Sequence, residues 1–155
     1  MTNASQTSAT SPFARTAAAT EPIRRPDGSA WRILATGAET GGVVGVVEFT
    51  LPPGRGFPLH IHHHEDETHY VLEGTLLFVA GDLRVEAGPG TYIFAPRGIP
   101  HGFKAIGDTP VRFIENFLPA GLEMLFAQPD ELQAAAELGR TNAAYGLEVV
   151  GPLPE

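Results

Sequence analysis

All six histidines of this 155-residue chain fall between positions 60 and 101, and five of them lie between 60 and 69. Imidazoles gathered so tightly suit metal ligation or proton transfer. On an extended segment, side chains two positions apart share a face, so His60 and His62 can converge on one point while Ile61 turns away. His62 and His64 bear the same relation, so this spacing alone leaves the pair open. Glu67 follows a polar stretch, HHHED, that suits a bend, and can bring a carboxylate to the same point. It can equally join Glu65 and Asp66 in a solvated acidic turn. His101 comes after the Pro96 to Pro100 turn, at the entrance of a later apolar run. Three imidazoles and a carboxylate form a borderline-to-hard donor set that suits one divalent Fe, Mn, Ni, Co, Zn or Cu ion, whereas an all-oxygen set suits Mg or Ca. Four protein ligands leave positions on such an ion for water, dioxygen or a substrate. The chain has no cysteine, which excludes thiolate catalysis, disulfides and thiolate-bound zinc.

The elements that must position these residues are short. Apolar runs over 31–36, 43–51, 68–73, 75–80, 83–87, 91–95, 102–106 and 111–118 alternate with Gly, Pro and Asp turn residues, and no helical period extends over them. The pattern predicts an all-β domain whose sheets close into a barrel, protecting their edges around an apolar interior. Phe49, Phe94, Phe103 and Phe113 are expected to pack in its core, and Tyr70, Glu73, Arg97 and Lys104 to lie on the surface or rim. His69, two residues beyond Glu67, should point inward as a proton carrier, a further ligand, a polar wall group or a satisfied interior histidine. Glu115 and Asn116 interrupt an apolar strand, and one of them is expected to face the cavity. After Pro119, PDELQAAAELGR reads as a helix that starts at Pro129 and Asp130 and ends at Gly139. Such a helix should pack outside the barrel, and YGLEVVGPLP should add a last strand or cover an edge.

The domain expectation is therefore a flexible leader over 1–21, a barrel over 22–118 and a helix with a final strand over 119–155. Acidic residues outnumber basic ones by 18 to 10 for a formal charge of −8, which argues against a nucleic-acid or anionic-membrane partner. The first residues carry neither a basic start before an apolar core nor a bilayer-spanning run, so a cytoplasmic protein is expected. Alanines and Arg15 in that segment make organellar targeting the lesser alternative.

Gly54 to Gly74 reads G-x5-H-x-H-x4-E-x6-G, and Gly90 to His101 reads G-x5-P-x-G-x2-H. Together these resemble the paired motifs of the cupin superfamily over roughly positions 43–118, with a tail similar to small bacterial quercetin dioxygenase-like members. The resemblance implies a double-stranded β-helix, or jelly-roll, barrel with a short C-terminal helical segment. It carries the metal ligands onto His60, His62, Glu67 and His101 and the turn glycines onto Gly54, Gly74, Gly90 and Gly98. The His62/His64 register would leave only two residues before Glu67, against three or four in the family, which places His63 and His64 as solvated residues at the barrel mouth. One departure is Ala105, where the second motif usually has Asn. The resemblance implies an oxygenase-type enzyme acting on a small phenolic or dicarbonyl-like compound, and their expected inward positions make His69 and Glu115 the candidate catalytic groups. An isomerase, cyclase or decarboxylase, or a non-catalytic small-molecule binding protein, are the alternatives. The family also implies a homodimer, with the tail helix and the 31–36 strand as candidate contact surfaces.

Overall fold

Period-two alternation shapes the strands. In β10 (Val111–Leu118), Val111, Phe113, Glu115 and Phe117 are buried while their neighbours are half-exposed. A computed structural model describes residues 10–155 and arranges such strands in two antiparallel sheets. The remaining strands are β1 (Ile23–Arg24), β2 (Ala30–Ala35), β3 (Gly45–Leu51), β4 (Gly56–His62), β5 (Asp66–Glu73), β6 (Thr75–Ala80), β7 (Leu83–Ala87), β8 (Tyr92–Ala95), β9 (His101–Ile106) and β11 (Leu147–Val149). One sheet runs β1-β2-β3-β10-β5-β8 and the other β11-β4-β9-β6-β7, the two layers of a jelly roll. The chain passes from one sheet to the other at Gly74, where φ is 72° and a Cβ would lie 2.4 Å from the Pro110 carbonyl oxygen. Phe78, Phe103, Phe113 and Phe117 fill the space between the sheets.

The tail departs from expectation in length. A 3₁₀ segment (Leu122–Ala127) and the helix α2 (Pro129–Ala136, preceded in the chain by the single-turn α1, Gly37–Thr40) each turn one face onto the barrel core. Leu122, Leu125, Phe126, Leu132 and Ala135 join the core, and the Trp31 indole N–H donates to the Phe126 carbonyl at 2.8 Å. Leu132 and Ala135, three apart on α2, give the helix the apolar face that it buries. The helix ends at Ala136, and the chain reverses through Gly139 at φ 63°. Buried Glu123 fastens this segment by accepting the Gly37 N–H at 2.7 Å. β11 supplies the anticipated last strand, pairing antiparallel with the edge of β4.

Other expectations shift similarly. Phe94 is 52% exposed, because Ile93 and Ala95 take the inward positions of β8. The β4 strand has a register shift between Phe57 and His60, and that irregularity accommodates Pro58. Of the leader, residues 1–9 lie outside the described residues. Arg15, however, is packed on the barrel, donating to the Leu34 carbonyl at 2.7 Å and pairing with Glu39 at 2.6 Å. β3 flanks β2 on one side, while on the other β1 pairs with Ala30 and Trp31 and Arg15 caps the Leu34 carbonyl. Among the described residues no helix is long and apolar enough to cross a membrane.

Candidate metal centre

His60 and His62 point inward from β4, and His101 stands directly across from His60 on the neighbouring β9. Glu67 reaches the same place from β5 of the opposite sheet. All four are at most 3% exposed. Each imidazole is held from behind. Nδ1 of His60 lies 2.6 Å from the Pro58 carbonyl oxygen, Nδ1 of His101 lies 3.1 Å from that of Ile99, and Nδ1 of His62 lies 3.0 Å from Oε1 of Glu65. The carbonyl acceptors at His60 and His101 assign the proton to Nδ1 and leave Nε2 as a lone pair, and at His62 the Glu65 carboxylate stands within ion-pair distance of Nδ1 and favours the same tautomer. The Nε2 atoms then converge: His60 to His62 at 2.9 Å, His62 to Glu67 at 2.8 Å, and His101 to Glu67 at 2.7 Å.

Two imidazole lone pairs at that separation repel unless a cation lies between them, and a buried carboxylate beside them needs a counter-charge. The donor set therefore fits a divalent transition metal ion, and all four ligand atoms lie within 4.8 Å of one another. Burial, together with neighbouring His101 and His62, pushes His60 well below the usual imidazole range. Burial acts the same way on His62, but the Glu67 and Glu65 carboxylates outweigh it and lift His62 to about 10. Burial opposes ionisation of Glu67, yet His62 and His101 hold it well below the usual carboxylate range. In the metal-free protein a proton on His62 takes the place of the cation.

Beside this group, Nε2 of His69 lies 2.9 Å from Oε1 of Glu115 and 4.0 Å from Oε2 of Glu67. The β5–β10 register sets Glu115 opposite His69, so Glu115 faces inward, while outward Asn116 donates to the Thr68 hydroxyl at 2.8 Å. Burial and the Glu67 charge push Glu115 up; burial lowers His69, but Glu115 outweighs it and raises it. Phe78, Phe103 and Phe113 surround the His69 ring at 4.8 to 5.9 Å.

The sequence-derived set His60, His62, Glu67 and His101 is thus brought to one point, with His69 and Glu115 adjoining. His63 and His64 are exposed, and His63 pairs with Glu148 at 2.8 Å. Arg97 sits on the rim with Asp66. Sequence reasoning missed Glu65, which is 5% exposed and not part of a solvated turn. The only signal for it was a carboxylate three residues after a candidate ligand.

A cupin domain matches residues 47–117. An uncharacterised protein of Methanocaldococcus jannaschii is 30% identical over 95 residues, which cover 61% of this chain and 76% of that protein. The chain belongs to the cupin family. This cupin is also 32% identical over 72 residues to quercetin 2,3-dioxygenase of Bacillus subtilis, a match covering 46% of the chain but only 21% of that enzyme. Among solved structures, the polyketide cyclase RemF from Streptomyces resistomycificus aligns with a TM-score of 0.58 at 28% identity, covering 70% of this cupin and 80% of that chain.

Proposed function

We propose that this cupin is a metal-dependent, oxygenase-type enzyme acting on a phenolic or dicarbonyl-like organic compound, with one divalent transition metal ion held by His60, His62, Glu67 and His101. The observation that carries this reading is the convergence of three anchored Nε2 atoms and a buried carboxylate on the wall of an apolar cavity. When bound, the ion would supply Lewis-acid polarisation of an oxygenated substrate and a redox partner for dioxygen. The chain supplies the rest. Glu115 lines the cavity, with His69 behind it, and can take a proton from a substrate hydroxyl or enol. The phenylalanines around His69 keep water from its ring, so that the pair meets the cavity through Glu115.

The test is metal content of the purified protein, followed by oxygen-electrode measurements on Fe, Mn, Ni and Cu forms with phenolic and β-dicarbonyl compounds. Oxygen uptake that depends on both substrate and metal is expected. A second reading, cyclisation or isomerisation with the metal as Lewis acid alone, is favoured by the Glu115–His69 pair and by the likeness to the polyketide cyclase. It predicts the same turnover under argon as in air. Binding without turnover in any metal form would make the chain a small-molecule binding protein. For the homodimer, Tyr70, Tyr92 and Phe94, which are 43%, 62% and 52% exposed on one sheet face, join the tail helix and the 31–36 strand as candidate surfaces. A monomer by sedimentation at micromolar concentration overturns it.

A further inference from the structure

We infer that the cavity is built for a rigid, multi-ring aromatic compound whose oxygen atoms are confined to one edge. The inference rests on the metal-centre reading only for which end of the ligand enters first; the shape and chemistry of the wall stand apart from it.

The first observation is size. The cavity measures about 1090 Å³. A single benzene ring is accommodated in about 150 Å³, and whole small-molecule sites span about 300–1,000 Å³. A one-ring phenol or a short diketone would leave most of this space unfilled.

The second observation is where the polar groups lie. His60, His62, Glu67 and Glu115 form one polar patch. Arg25, Asp27, Arg55 and Glu137 form another, grouped around a separate recess of about 240 Å³ that opens beside the cavity. They neutralise one another, Arg25 with Glu137 at 3.2 Å and Arg55 with Asp27 at 3.5 Å. Between the patches the wall carries Trp31, Phe49, Phe57, Phe103 and Phe126 with leucines from the tail, interrupted by Ser29, Lys104, Gln133 and Glu155. Hydroxyls or carboxylates of a sugar acid or a small polyacid set against the aromatic stretch itself would face ring carbons, at about 1–3 kcal/mol for each neutral group and more for each charge.

The third observation is that this wall is aromatic and already set. Phe126 meets Phe49 edge-on at 5.0 Å between centroids and Trp31 at 6.3 Å, and the Trp31 indole is tied to the Phe126 carbonyl. Interlocked ring faces and edges complement a flat π-system better than a flexible acyl chain, which would lose its rotational freedom on entry. Oxygens along one edge can then meet the His60–Glu67 group while the ring body fills the apolar space.

Trp31 is the only tryptophan of the chain and lines the cavity, so its fluorescence reports occupancy directly. The probe is 1,8-dihydroxy-9-anthrone, three fused rings with all three oxygens on one edge, titrated under argon into chelator-treated protein and into protein reloaded with Ni or Fe. Saturable quenching of Trp31 is expected in both, tighter with metal, with catechol and decanoate competing at least about 100-fold more weakly, a gap of about 2.7 kcal/mol. Ala136→Phe, which fills the cavity from α2, and Ala105→Leu, which fills it from β9, should each weaken the probe at least about tenfold. The inference is overturned if quenching does not saturate, if decanoate displaces the probe at equal concentration, or if both filling variants bind it as the parent does. Quenching that metal leaves unchanged upholds the multi-ring pocket and removes the metal-centre reading instead.

Discussion

Replacing Glu65 by Gln, and separately by Leu, isolates the one ring anchor of the metal centre that a side-chain substitution can remove. The anchors of His60 and His101 are the main-chain carbonyls of Pro58 and Ile99. Glu65 is 5% exposed, with Oε1 3.0 Å from Nδ1 of His62. Gln keeps the shape and removes the charge. A hydrogen bond to a charged group contributes about 1.5–3 kcal/mol against about 0.5–1.5 for a neutral one, so the difference is about 1–1.5 kcal/mol. At about 1.4 kcal/mol per decade, metal affinity should fall about tenfold for Gln. Leu also frees the ring to turn, and the loss should approach about 100-fold. One opposing effect must be weighed. Glu65 helps to lift the metal-free His62 to about 10, so its removal also weakens the proton that competes with the metal. By Coulomb's law a dication gains about twice what a proton gains from the same carboxylate, so the fall in affinity keeps its sign. Competition against a chromophoric chelator at neutral pH measures the change, with circular dichroism to establish that both variants fold. Affinities within about twofold of the parent for both would refute the anchoring role, since the expected losses are about tenfold and more.

His60→Ala, His62→Ala and His101→Ala should each nearly empty the site in elemental analysis of folded protein, whereas His63→Ala and His64→Ala should not. A site emptied by His64→Ala but not by His60→Ala would establish the other register. Because His62 is lifted to about 10, metal must expel its proton at any lower pH. The logarithm of the association constant should therefore rise by about one per pH unit between about pH 7 and 9, with one proton released in calorimetry across buffers of different ionisation enthalpy. His69→Phe and Glu115→Gln should retain metal and lose turnover by about 10²–10⁴-fold if the pair carries the substrate proton, whereas unchanged rates would leave it as wall. Gly56→Ala would place a Cβ 1.9 Å from the Phe103 carbonyl oxygen and 2.7 Å from Cα of Lys104, forcing β4 away from β9. It should destabilise the barrel by about 3 kcal/mol, about 6–12 °C in thermal midpoint, and a midpoint equal to the parent's would show that the strands can part freely.

Much of the centre was legible because its information is local. Alternation along an extended segment puts His60 and His62 on one face whatever else the chain does, and the glycines and prolines between apolar runs mark where strands must end. The donor types, the absence of cysteine and the all-β pattern follow from residue chemistry and period alone. Other features depend on which distant segments meet. That Glu115 rather than Asn116 faces inward is decided by the register of β10 against β5, which sets Glu115 opposite His69. Phe94 lies outside because β8 offers Ile93 and Ala95 to the core, a choice of face that alternation permits either way. Glu65 stands in a run as polar as any solvated turn, yet the fold of β4 onto β5 turns it under His62. Leu132 and Ala135 mark an apolar face on the tail helix, but that this face meets β4 and the Leu122–Ala127 segment is decided by their packing, and no pattern within residues 129–140 records it.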